Sequence, residues 1–80
     1  MAHDIFTVVQ LEKRWMIRVH AKHSGPYATQ KDAITAAVDA AYQAGKTNPN
    51  GAQVRVQDAN YAFRTEWTYG VSPYPYPSKD

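Results

Sequence analysis

Eighty residues carrying a formal net charge of +2 and no cysteine leave room for one small domain. The absent thiols exclude disulfides, thiolate metal sites and thiol catalysis, and they fit a cytoplasmic location. No apolar run approaches the length of a membrane span, and the opening Met-Ala-His-Asp lacks the basic-then-apolar order of a signal peptide, so neither is expected.

The core must be built from unusual material. One leucine, three isoleucines, seven valines and two phenylalanines are few for a folded domain, so aromatic rings must supply much of the volume. Residues 1–4 read as a flexible lead-in, 5–70 as the domain, and 71–80 as a proline- and tyrosine-rich tail.

Ile5–Leu11 (IFTVVQL) has the β-branched and aromatic composition of a strand. Trp15–His20 alternates cleanly, with Trp15, Ile17 and Val19 on one side and Met16, Arg18 and His20 on the other, as a half-buried strand does. Glu12-Lys13-Arg14 between them has hairpin length but no Gly or Asn to select a turn type. The following stretch, with Gly25-Pro26, reads as a loop.

Thr29 stands before an alanine-rich run in the position of a helix N-cap, and Asp32 suits the positive end of the helix dipole. Ile34, Ala37, Val38 and Ala41 fall on one face, with Lys31, Thr35, Asp39 and Gln43 opposite. Gly45 is placed to end the helix in the left-handed conformation. A stripe this small lets a helix lie close to a sheet, and Trp15, Phe63 and Trp67 are the large rings expected to meet it.

Gln53–Gln57 alternates again, with Val54 and Val56 inward and Arg55 outward. After a turn at Asp58-Ala59-Asn60, Tyr61–Tyr69 places Tyr61, Phe63, Thr65, Trp67 and Tyr69 on the helix side and Ala62, Arg64, Glu66 and Thr68 on the other. Gly70 permits a turn, and Pro73, Pro75 and Pro77 bar further ladder bonding. The chain should leave the sheet there, with Tyr74 or Tyr76 folding back on the domain edge.

The expected fold is therefore α+β, β-β-α-β-β, with one four-stranded, mostly antiparallel sheet and a single helix packed on one face. The order second-first-third-fourth satisfies a right-handed crossover and keeps neighbours antiparallel.

These landmarks resemble a family of small bacterial proteins called domain of unknown function 2188. They are Trp15 and Val19 in a Trp-x-x-x-Val strand, Thr29 and Ala33 at the start of an alanine-rich helix with Ala36-Ala37, and Thr68-Tyr69-Gly70 closing the last strand. The resemblance runs from about Ile5 to Pro75. It departs at Lys13-Arg14, where the family often has two glycines, and at Lys46–Ala52, a longer loop. It implies the fold above and carries over no catalytic residue.

Candidate sites follow from the residues. His20 and His23, with His3 or Asp4, are the available metal ligands, but a strand end and a loop do not make two histidines converge as a helix does. Ser24, Ser72 and Ser78 lack a glycine elbow or an adjacent base, so a non-enzyme with no cofactor is expected. The sheet face away from the helix is expected to carry Arg18, His20, Arg55 and Arg64, with Lys13 and Arg14 at the hairpin tip. These arginines and Lys13 form a candidate polyanion contact. No exposed aromatic is expected beside them to stack on bases. The reading is a small binding domain that pairs with itself as a homodimer or with another protein, with an accessory nucleic-acid binder as the alternative. No membrane or small-molecule partner is expected.

Overall fold

The computed structural model describes residues 4–20, 22–57 and 62–74. Strand β1 (Asp4–Leu11) turns back into β2 (Arg14–Val19) through only two residues, Glu12 and Lys13, both at positive φ (51° and 66°). That is the twist a two-residue hairpin needs, adopted here without glycine or asparagine. Lys13 thus occupies a conformation that glycine takes with no Cβ penalty.

The chain then adds β3 (Lys22–Tyr27), a third strand where the Gly25-Pro26 pair had suggested a loop. Two conditions make proline tolerable there. Strand β3 lies at the sheet edge, and it bulges: Trp15 pairs with Tyr27 and Ile17 with Ser24, leaving Gly25 and Pro26 opposite Met16. Gly25 has φ +126°, and a Cβ there would crowd the Trp15 carbonyl and the Met16 sulfur at 3.1 and 3.2 Å.

Helix α1 (Gln30–Thr47) starts as its cap dictates, with the Thr29 Oγ1 accepting from the Asp32 amide at 3.1 Å. It runs past Gly45 and ends at Asn48, whose amide donates to the Ala44 carbonyl at 2.9 Å. Gly45 is therefore helical rather than a terminator. Its missing side chain makes room for Tyr69, whose ring a Cβ would overlap.

Strands β4 (Ala52–Gln57) and β5 (Phe63–Thr68) complete one five-stranded sheet in the order β3-β2-β1-β4-β5. The four strands expected keep the expected order, and β3 is added outside β2. The central pair β1 and β4 is parallel, because the helix crossover returns the chain in the direction of β1, so the sheet is mixed and only the other neighbours are antiparallel.

The core lies between α1 and one face of the sheet. Phe6, Val8, Ile17, Val54, Val56 and Trp67 meet Ala33, Ile34, Ala37, Val38 and Ala41 of the helix. Trp67 supplies the bulk that the alanines lack and is 1% exposed. Its indole N–H donates to the Pro73 carbonyl at 2.9 Å, so the turn after β5 folds beneath the ring. Tyr74 stacks on Tyr42 with centroids 3.8 Å apart and donates to Asp39 Oδ1 at 2.8 Å. The tail through Tyr74 is thus docked against the helix. The turn at 58–60, Tyr61 and Tyr76 lie outside the described residues.

Candidate functional site

The second face of the sheet has no covering layer among the described residues. Cross-strand partners point to the same side, so the register identifies what it presents. Thr7 of β1 sits between Arg18 of β2 and Arg55 of β4, and the row continues to His23 of β3 and Thr65 of β5. One line across the sheet therefore carries His23, Arg18, Thr7, Arg55 and Thr65. The arginines are exposed while Thr7 between them is buried.

Running the other way along β1, Ile5, Val9 and Leu11 share the side of Thr7. Met16 pairs with Val9, and Arg14 pairs with Leu11. Strand β1 is thus apolar on both faces: Phe6 and Val8 belong to the core, whereas on the other side Ile5 and Val9 are half-buried and Leu11 is exposed. Leu11 is 48% exposed. At the hairpin end a depression of about 400 Å³ opens between Leu11, Glu12, Arg14, Met16 and Pro26.

Two expected members change places. Trp67 pairs with Val54, but Thr65 pairs with Arg55 and Arg64 with Val56, so β5 gains one residue at Glu66. A bulge shifts the alternation by one, and every residue beyond it faces the opposite side. Arg64 consequently leaves the open face for the helix side, where it meets Glu66 through Nε at 3.3 Å and Nη2 at 3.2 Å. Phe63 moves the other way, onto the open face opposite Gln57, and is 49% exposed instead of core. Nothing in Phe63–Thr68 marks the bulge, since the segment contains no glycine and alternates without interruption.

Of the other candidates, Arg14, Arg18 and Arg55 belong to the face, and Lys13 lies in the adjoining turn. Neither Arg18 nor Arg55 has an ion-pair partner among the described residues. Of the described carboxylates, Asp4 is 3.5 Å from His20, Glu12 is in the turn, Asp32 and Asp39 are on the helix, and Glu66, at the bulge next to Thr65, holds Arg64. His20 and His23 are not brought together with a third ligand, and no group of three metal-binding side chains occurs among the described residues. His3 and Ser78 lie outside those residues. Ser24 sits on the edge strand β3, and the Ser72 hydroxyl accepts from the Thr68 amide at 3.1 Å.

A second, wider depression of about 460 Å³ lies at the helix end, lined by Gly45, Lys46, Asn48, Pro49, Gly51 and Tyr69 among others. Its cation, Lys46, already lies over the Tyr42 ring at 4.8 Å from the centroid. No helix is long and apolar enough to cross a membrane among the described residues.

Comparison with curated proteins and with solved structures gave no match. A family profile described as "uncharacterized protein conserved in bacteria (DUF2188)" matches residues 6–69, which takes in all five strands from Phe6 onward and the helix. This chain belongs to the DUF2188 family.

Proposed function

We propose that this chain is a non-enzymatic binding module that engages a protein through its open sheet face. The observation that carries the proposal is the row Ile5, Val9 and Leu11 with Met16 beside it, half-buried or exposed apolar side chains on the sheet face away from α1, with Phe63 exposed two strands away, on a domain that has little apolar residue to spare. Exposed apolar patches of this kind mark interaction surfaces more often than chance.

The other surfaces are less suited. Helix α1 covers the opposite face. Both edge strands are bulged, and β3 adds Lys22 and Pro26, devices that discourage strand addition. A second copy remains a candidate occupant, but isologous pairing through this face would bring two basic faces together, each carrying Arg14, Arg18 and Arg55. A different, anionic protein fits better. The placement of Phe63 favours one further reading, a single-stranded nucleic acid stacking on that ring with phosphates near Arg55.

Site-specific photo-crosslinking in the host cell tests the proposal. Benzoylphenylalanine in place of Leu11 or Thr65 is expected to give a discrete protein adduct, and the same group at Gln43 on the solvent side of α1 is expected to give none. An adduct of doubled chain mass would identify a second copy as the partner. Adducts only to nucleic acid would move the second reading to first place. Equal adducts from Gln43, or none from the face, would overturn the proposal.

A further inference from the structure

We infer that the partner segment is an acidic amphipathic helix laid along β1, an inference that rests on the protein-binding reading above. The column from Ile5 to Leu11 spans six residue steps of about 3.3 Å, or about 20 Å. A helix covers that length with about 13 residues. Arg18 and Arg55 flank the column at Thr7, one strand to either side. With strands about 4.8 Å apart, their backbones stand about 10 Å from one another, close to the width of a helix with its side chains. A helix over β1 therefore lies between the two guanidinium groups.

Apolar residues on one side of such a helix would rest on Ile5, Val9, Leu11 and Met16. The residues flanking that stripe would reach Arg18 on one side and Arg55 on the other. Aspartate or glutamate there forms charge-assisted hydrogen bonds, whereas lysine or arginine is repelled. The depression beside Leu11, Met16 and Pro26 takes one bulky apolar anchor, with Arg14 at its rim to receive a further carboxylate.

The geometry fits the other occupants less well. The column is aliphatic, and a nucleic acid gains stacking only from aromatic platforms, of which the face offers Phe63 alone among the described residues. The two arginines stand side by side across the sheet rather than in file along a strand, so they suit two flanks of one rod better than successive phosphates.

The test titrates the isotope-labelled full chain with three probes, followed by amide NMR. The first is an alanine-based helical peptide of about 18 residues, long enough to hold helix, with a leucine stripe flanked by glutamates. The second is its twin with lysines in place of the glutamates, and the third is an oligothymidylate of about 12 nucleotides. The glutamate peptide is expected to shift the amides of Ile5–Leu11, Met16, Arg18, Arg55 and Phe63 and to bind at least about 10-fold tighter than its twin. The combined R18Q and R55Q variant is expected to abolish that preference. Equal binding of the two peptides, tighter binding of the oligonucleotide, shifts away from the open face, or no peptide binding at all would each overturn the inference. So would concentration-dependent self-association through the same amides without any probe. A protein adduct from Leu11 alongside failed peptide binding would leave the broader reading standing, so the two fail separately.

Discussion

A side chain at Gly45 would overlap the Tyr69 ring, and that contact ties the last turn of the helix to the end of the sheet. Around it Tyr42, Tyr69 and Tyr74 cluster, with Trp67 edge-on to Tyr69 at 6.3 Å. The hydroxyl of Tyr74 closes the cluster by donating to Asp39. That hydrogen bond, ahead of desolvation and the nearby negative charge, raises the Tyr74 pKa above its ordinary 10.0. The folded state thus favours the protonated phenol. Its contribution to stability is whole below about pH 10 and is lost as pH rises through the raised value. Chemical denaturation of the parent and of Tyr74→Phe checks this. The parent should be the more stable from pH 7 to 9, and the gap should close above pH 10. No gap at pH 7 to 9 would show the hydroxyl contact to be without effect, and a gap undiminished above pH 10 would show that it does not depend on the phenol proton.

At the scale of elements, the two bulges decide which side chains work where. Trp67 follows the bulge of β5 and fills the core; Phe63 precedes it and does not. Trp67→Ala should cost about 3–5 kcal/mol, a large share of what an 80-residue domain possesses. Phe63→Ala should cost no more than about 1 kcal/mol, since about half of its surface is already in water. Thermal melts of the two variants read the difference directly, and equal losses would restore the unbroken alternation read from sequence.

Those same bulges mark where the sequence stopped being legible. The helix could be read nearly whole, because Thr29 and the spacing of Ile34, Ala37, Val38 and Ala41 record its cap and its buried face. Strand β2 and strand β4 could be read from clean alternation, which placed Arg18 and Arg55 correctly. Strand β3 was hidden because Gly25-Pro26 signals a turn unless an edge position and a bulge accommodate it. The bulge at Glu66 leaves no trace in the sequence, so alternation alone puts Arg64 and Phe63 on each other's faces. The apolar column was legible but unused: Ile5, Val9 and Leu11 alternate with Phe6 and Val8, and a strand apolar on both sides asks for cover on both.

Taken whole, the molecule is a two-layer structure whose second face is left open. Its apolar residues are scarce, yet several stand on the side away from the helix, with the exposed guanidinium groups of Arg18 and Arg55 across the middle, neither in an ion pair among the described residues. Both edge strands are bulged, and Tyr74 docks on the helix at Tyr42 and Asp39. The surface we propose for recognition is one face, about as long as a four-turn helix, with Arg18 and Arg55 to either side. The proposed function therefore belongs to a surface rather than to any single residue.

The most direct measurement is the photo-crosslinking yield from Leu11 in a chain that also carries Arg18→Glu and Arg55→Glu. Both arginines are exposed, so the melting temperature should stay within a few degrees of the parent. The account predicts an intact fold and loss of the protein adduct formed by the parent. An adduct retained at full yield by the folded double variant would contradict it, because the partner would then be held without the charges that define this face.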